Sequence, residues 1–254
     1  AALGFLEHAF CTRRGGVSSG TFSDLNVSFR VGDRDEDVKR NLARVAEAFA
    51  IPPNGLVLMD QVHGDTIHLI DSAGDPPASR FRGDGLITAR PGVALGVRTA
   101  DCVPIFFVDR IRRVIGAAHA GWRGTALGIA SGMVDALAAG FGSRPADILA
   151  VVGPAVGACC YQVDAPVREA FAAHAAADRF LRPCPEAGRW MLDLAMANRL
   201  QIEARGVPGG NILSAGLCTA CRGESFFSHR PSSGCAGRQL NILMLRPAGA
   251  RKNA

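Results

Sequence analysis

The chain has 254 residues, 48% of them apolar, and carries 28 Lys and Arg against 23 Asp and Glu. That is enough apolar content for the sizeable core of one large domain or two small ones, and a charged fraction of 20% excludes a disordered polyelectrolyte. No run of about 18 apolar residues exists to span a bilayer as a helix, so no membrane partner is expected.

The positive charge is unusual in kind. Only Lys39 and Lys252 are lysines, so nearly all of it is arginine, whose planar fork suits phosphate and carboxylate. The arginines are scattered, apart from Arg13-Arg14 and the stretch from Arg110 to Arg113. No basic block interleaved with aromatics marks a nucleic-acid groove. No charged segment followed by an apolar one opens the sequence, so no signal peptide is expected. Eight cysteines in a chain of this size do not make a disulfide scaffold. Reduced thiols in a cytoplasmic protein are the expectation, and there cysteines are more often buried, metal-binding or catalytic than bridged.

Taken in order, residues 11 to 34 are rich in turn formers and predict an ordered loop, in which Arg13 and the amides near Gly15-Gly16 are placed to hold an anion. Asp35 to Ala50 predicts a helix: Val38, Leu42, Val45, Ala46 and Phe49 recur at helical spacing, and Pro52-Pro53 stops it. Asn41 falls on its inner side and needs a polar partner. Leu56 to Met59 and Thr66 to Asp71 predict strands on either side of His63. Gly74 to Arg82 predicts a loop, and Asp84 to Thr88, Val93 to Val97, Val103 to Asp109 and Val114 to His119 predict further strands.

The last two of these, joined by the charged turn at Arg110 to Arg113, form an expected hairpin. Its geometry brings Cys102 and His119 to one end. Helices are expected over Thr125 to Ala139, Ala165 to Ala177 and Met191 to Arg205. Strands are expected over Ile148 to Val152, Ile212 to Cys218, Ser225 to His229 and Gln239 to Leu245, with a frayed tail from Pro247. Strand pairs alternate with helices without a regular βαβ rhythm, and no repeat or linker divides the chain. A single mixed α+β domain over 1–254, with helices outside sheets, follows.

The chemistry-bearing residues fall in the order His63, Cys102, His119. Two imidazoles and a thiolate match a zinc site with an open fourth position, the arrangement in which zinc brings bound water to a pKa of about 7. Copper also accepts such a donor set, and Cys102 with His119 is equally a thiolate–imidazole dyad needing no metal. Asp101, next to the thiol, is placed to orient a ligand or act as a base. Arg123, between Gly121 and Gly124, is the best single anion clamp. His229 ends an apolar run and is a candidate to line a pocket. Cys218-Thr219-Ala220-Cys221 is a lone C-x-x-C, and Cys159-Cys160 are vicinal. Plain thiols are expected there, and buried apolar roles for most cysteines.

Several of these strings together resemble the YfiH-like laccase-domain family. They are Thr12-Arg13 with Gly15-Gly16-Val17-Ser18 and Leu25-Asn26, Gln61-Val62-His63-Gly64, and Thr99-Ala100-Asp101-Cys102-Val103-Pro104. Ala118-His119-Ala120-Gly121-Trp122-Arg123-Gly124-Thr125, Gly153-Pro154 with Cys159-Cys160-Tyr161, and Phe227-Ser228-His229-Arg230 complete the set. The resemblance spans nearly the whole chain, although the family often carries Tyr at the His229 position. It implies a layered α/β/β/α sandwich of mixed sheets with helices outside, related to toxin deamidases. It also implies zinc at His63, Cys102 and His119, phosphorolysis of adenosine, inosine and methylthioadenosine, and adenosine deamination. Copper-dependent polyphenol oxidation is the other activity attached to the family, and a Cys–His amidohydrolase remains a third reading. On this reading Asp101, Cys102, His119 and Arg123 are catalytic. Arg13, Asn41, Gln61, Arg123 and His229 bind nucleoside and phosphate, and a homodimer is the expected assembly.

Overall fold

The computed structural model describes residues 3–70, 81–232 and 234–247. Most of the loop expected over Gly74 to Arg82 lies outside them, as do Asp71 and the tail beyond Pro247. Among the described residues the strands are β1 (Leu6–Phe10), β2 (Leu56–Leu58), β3 (Ile67–Leu69), β4 (Gly85–Thr88), β5 (Ala94–Thr99), β6 (Val103–Asp109) and β7 (Val114–Ala120). They continue with β8 (Ile148–Val152), β9 (Gln162–Val163), β10 (Leu181–Pro183), β11 (Trp190–Leu192), β12 (Ile212–Ser214) and β13 (Gln239–Leu245). The α-helices are α1 (Asp35–Ala48), α2 (Trp122–Leu127), α3 (Ile129–Phe141), α4 (Ala165–Ala170) and α5 (Leu194–Ala204).

A four-stranded sheet in the order β1-β13-β5-β2 faces a six-stranded sheet in the order β12-β8-β6-β7-β4-β3. Alternation along the strands builds the layers. Leu95, Val97 and Leu243 meet Phe106, Val108 and Ile115 between the sheets. Ala94, Leu240, Ile242 and Met244 turn the other way, onto Val45 of α1. On the far side of the larger sheet, Val103, Ile105 and Phe107 pack with Ile129, Met133 and Leu137 of α3 and with Ala197 of α5. The result is the expected α/β/β/α stack, with a small third sheet in the order β10-β11-β9. Full burial of each large side chain, such as Phe106 or Phe107, contributes about 1.5–3 kcal/mol.

The β6–β7 hairpin forms as anticipated, in antiparallel register with Val103 opposite Ala120 and Pro104 opposite His119. Other elements differ from expectation. The helix over Thr125 to Ala139 is two helices broken at Gly128, whose φ of 90° is left-handed and closes α2 while opening α3. The helix expected from Met191 starts three residues later. Trp190–Leu192 pairs instead as β11 between β10 and β9, and Asp193 Oδ1 accepts the Met196 N–H at 2.9 Å as the N-cap of α5. The helix from Ala165 stops at Ala170, and Phe171 buries itself edge-on against Phe180 with ring centroids 5.4 Å apart. Ser225 to His229 is no strand. Its N–H groups bond back to the Arg222 carbonyl and to Gln239 Oε1, the latter at 2.8 Å from Phe227 N, while the Ser225 carbonyl accepts the Arg13 N–H at 2.8 Å.

Candidate active site

The chain crosses from one facing sheet to the other at Ala100-Asp101-Cys102, between the end of β5 and the start of β6. That crossing exposes a short polar corner at the ends of both layers. Asp101 makes the corner with a left-handed φ of 89°. The register of β6 with β7 puts Cys102 next to the residue that follows β7, Gly121. A Cβ on Gly121 would lie 2.7 Å from His63 Cδ2 and 3.2 Å from Cys102 Sγ, so only glycine lets the three groups meet. The donor atoms of His63, Cys102 and His119 all lie within 4.8 Å of one another, and His63 Nε2 is 3.9 Å from Cys102 Sγ.

One carboxylate organises this group. Asp84, fully buried just before β4, accepts the backbone N–H groups of Val62 at 3.3 Å, His63 at 3.1 Å and Gly64 at 2.7 Å. Its Oδ1 also pairs with His119 Nδ1 at 2.7 Å. In its neutral form, with the remaining proton on Nδ1 facing the carboxylate, His119 offers the Nε2 lone pair that a metal-binding imidazole requires. Burial alone would raise Asp84, but the hydrogen bond and charge of His119 and then the amides outweigh it and hold it low. Burial alone would also raise the Cys102 thiol. The charge and hydrogen bond of His119, and then those of His63, reverse this and bring it down to about 6. Burial presses His119 the other way, and Cys102 and Asp84 lift it to about 9. Two imidazoles and a ready thiolate, tied to a shared carboxylate, fit a soft or borderline divalent ion such as zinc or copper.

The trio lies in a cleft of about 720 Å³. Its lining includes Gln61, Asp101, Trp122, Tyr161 and His229, together with Arg30, Arg98, Arg123, Arg230 and Arg238. Gln61 and Arg98 grip each other: Gln61 Nε2 donates to the Arg98 carbonyl at 2.7 Å and the Arg98 N–H donates to Gln61 Oε1 at 2.8 Å. Arg123 lies over Trp122, 4.3 Å from the ring centroid, and Arg230 lies 4.5 Å from the centroid of Tyr161. Burial, and next the charge of Arg30, lower the pKa of Arg98; burial lowers that of Arg238. Such crowded, half-buried cations favour an anionic guest.

Asp101 sits in the lining with its carboxylate already engaged. Oδ1 accepts the Thr219 and Ser228 hydroxyls, each at 2.6 Å, and Oδ2 accepts the Arg230 N–H at 2.8 Å. It thereby locks the loop that carries His229 and Arg230 against the cleft. The carboxylate bonded to an imidazole of the trio is Asp84. Arg13 and Asn41 lie away from the lining. Arg13 donates to the carbonyls of Ser23 at 2.6 Å and Gly223 at 3.0 Å and covers Phe227 at 4.4 Å. Asn41 is fully buried. Its amide donates to Ser18 Oγ and to the carbonyls of Asp24 and Asn26, and its oxygen accepts the Val17 N–H. Arg13 thus ties loop to loop, and Asn41 ties α1 to the loop before it.

The sequence marks no role for Asp84, Arg98 or Arg238, and carries Tyr161 only as part of a resembling string. A lone Asp before an apolar strand was a usable signal only once its neighbours were known. The buried apolar role expected for most cysteines is met only in part: Cys160 packs half-buried against the core and burial raises the Cys11 thiol to about 11, whereas Cys159, Cys221 and Cys235 are exposed.

A layered sandwich with a His₂Cys group in an arginine-rich cleft is the class this geometry defines. The family profile described as "Multi-copper polyphenol oxidoreductase laccase" matches residues 7–246, and the chain belongs to this laccase-domain family. It is 42% identical over 249 residues to "Purine nucleoside phosphorylase YlmD" of Geobacillus stearothermophilus, covering 91% of this chain and 87% of that one. It is 38% identical to "Purine nucleoside phosphorylase PA4543" of Pseudomonas aeruginosa, covering 92% and 91%. The crystal structure of Bacillus licheniformis hypothetical protein YfiH superposes with a TM-score of 0.90 at 39% identity, over 95% of this chain and 93% of that one.

Proposed function

We propose that the protein is a zinc-dependent purine nucleoside phosphorylase acting on adenosine, inosine and methylthioadenosine, and that it also deaminates adenosine. The observation that carries this reading is the His63/Cys102/His119 group set in a cleft lined by five arginines. The names of the two relatives above point the same way. In phosphorolysis a phosphate oxygen bonds to C1′ of the ribose as the bond from C1′ to purine N9 breaks, and the base leaves with a proton. Arg98 and Arg238 are the residues assigned to the phosphate. Charge-assisted N–H donors hold its oxygens and orient one of them toward C1′. Trp122 and Tyr161, each with an arginine over its ring (Arg123 and Arg230), are the aromatic groups of the cleft lining assigned to the purine. His63, Cys102 and His119 would hold zinc, which when bound supplies Lewis-acid stabilisation of charge developing on the substrate. Asp84 keeps the His119 proton on Nδ1 throughout. The compartment in this reading is the cytoplasm, where eight thiols remain free.

The test is to incubate zinc-loaded protein with adenosine or inosine and phosphate, and to follow ribose 1-phosphate by phosphorus NMR. The sugar phosphate and free base should appear together, with inosine formed from adenosine in a parallel reaction. Loaded protein that yields neither refutes the reading.

Two observations keep other readings open to experiment. The donor set also suits copper, and the family profile carries a copper oxidase description. Oxygen uptake with a phenol after copper loading tests that activity. The low Cys102 thiol beside a His119 oriented by Asp84 also resembles a Cys–His–Asp hydrolase site. Amide hydrolysis that survives chelation and disappears in Cys102→Ser would support it.

A further inference from the structure

The thiols of Cys159, Cys160, Cys218 and Cys221 converge. Their four sulfur atoms lie within 4.8 Å of one another. Cys159 Sγ is 3.6 Å and Cys160 Sγ 3.4 Å from Cys221 Sγ. The fold brings them together by parallel pairing. β8 and β12 are parallel neighbours, Ile212 opposite Ala150 and Ser214 opposite Val152, so the loops that follow them leave the sheet side by side. The two loops pair again at Ala155 and Cys218. Gly157 then turns the first loop over the second: its N–H donates to Cys218 Sγ at 3.2 Å, and a Cβ there would lie 3.2 Å from Cys159 Sγ.

We propose that these four cysteines form a second metal site, a closed tetrathiolate centre for one Zn²⁺, separate from the His63/Cys102/His119 group. Four sulfurs on a tetrahedral zinc at about 2.3 Å stand about 3.8 Å from each other, close to the spacing already present. A disulfide would use two sulfurs and leave two, and Cys221 has no single partner: it touches Cys159 and Cys160 alike. Closed four-sulfur coordination with no position for water is the structural class of zinc site. Binding forms four Zn–S bonds and releases the remaining thiol protons to solvent.

The site clamps a wall of the cleft. Tyr161 follows Cys160 directly and lines the cleft. Thr219, inside the Cys218-to-Cys221 turn, donates its hydroxyl to Asp101 at 2.6 Å. A metal at the thiols therefore ties the loop carrying Tyr161 to the loop that fixes Asp101. This inference does not depend on which reaction the cleft performs.

The experiment is metal analysis of the intact chain, purified with reductant and without chelator from zinc-supplemented cells. Cys221→Ser should hold one zinc fewer per chain than the unsubstituted protein, whereas His63→Ala should retain the zinc that Cys221→Ser loses. Cobalt loading of Cys102→Ser, which leaves the four thiols intact, should give the strong near-ultraviolet sulfur-to-cobalt charge transfer of a tetrathiolate. Equal zinc in Cys221→Ser and the unsubstituted chain overturns the proposal. So does a disulfide among these cysteines in peptide maps of the freshly isolated protein, iron in place of zinc, or the lack of a charge-transfer band in cobalt-loaded Cys102→Ser.

Discussion

The two sulfur-bearing groups are held by different means. His63, Cys102 and His119 surround a carboxylate that no solvent reaches: Asp84 fixes the His63 loop through three amides and the His119 ring through Nδ1. Among the described residues no carboxylate is hydrogen-bonded to the four-thiol group. Two loops and an amide N–H position it, and two of its cysteines are exposed. The first group has two imidazoles and an open side facing a cleft, the pattern of a site that does chemistry. The second has only thiols that face one another, the pattern of a site that holds loops together. Matching donor atoms thus serve different ends according to what surrounds them.

The largest effect that separates the two is loss of a cleft ligand. Cys102→Ala should lower nucleoside turnover by more than about 100-fold, the upper range for losing even a supporting partner of a metal ligand, while Cys221→Ser leaves turnover within a few-fold. Steady-state kinetics on both variants read this directly, and equal losses would erase the distinction. Next is Asp84→Asn. It keeps the shape but removes the charge that orients His119, and should weaken zinc binding at the trio by about 10–100-fold. Competition with a chromogenic chelator measures it. An unchanged affinity would show that the hairpin register alone suffices to place the ring.

The thiols themselves give a third contrast. In protein stripped of metal, Cys102 should react with iodoacetamide as a thiolate, its rate rising with pH through about 6 and level above it. The sign follows from the lowered pKa: reactivity is lost as pH falls below 6 and is already full at neutral pH. An ordinary thiol rises only near about 8.5, and the hydrogen bond with Cys221, then burial and the other neighbouring thiols, push Cys160 further up. Mass spectrometry of alkylated peptides at a series of pH values resolves the two. A Cys102 profile that rises only near pH 8.5 would remove the coupling to His119.

Part of this was legible in the sequence, for reasons that can be named. Hairpins are local: two β-branched runs joined by a short charged turn define an antiparallel pair, so the approach of Cys102 to His119 followed from spacing. The outer helix α1 followed from its helical periodicity, and the inner sheets from apolar runs in β6, β7, β8 and β13. Parallel neighbours leave no such trace. Nothing in Cys218-Thr219-Ala220-Cys221 says that β12 lies beside β8, so the four thiols read as plain ones. The break at Gly128 was hidden because glycine within an alanine-rich run is compatible with a continuous helix until its φ is known. Arg13 and Asn41 show the reverse difficulty. A polar side chain in a glycine-rich loop or on the helix beside it reads the same whether it binds a ligand or the protein's own loops, and here Arg13 is engaged by backbone carbonyls and Asn41 by Ser18 and the loop backbone. Arg98 and Arg238 were overlooked because arginines are scattered throughout, and only folding shows which ones are crowded into a cleft.

The finest contrast rests on one carbon atom in each group. At Gly121 an added Cβ meets the His63 ring at 2.7 Å, closer than real contacts allow, and the ring must move. Overpacking of this kind costs about 1–3 kcal/mol. If that cost falls on His63, zinc affinity at the trio drops by about tenfold or more. At Gly157 an added Cβ meets Cys159 Sγ at 3.2 Å and Cys218 Cβ at 3.3 Å, tight contacts that loops at the surface can relieve by small shifts. Gly157→Ala should therefore cost at most about 1 kcal/mol in thermal or denaturant unfolding and leave nucleoside turnover unchanged, whereas Gly121→Ala should lower turnover and cost more stability than Gly157→Ala does. If Gly157→Ala instead lowers turnover as Gly121→Ala does, the thiol loops do more than brace the cleft: their position would set that of Tyr161 and Asp101 to within a few tenths of an ångström.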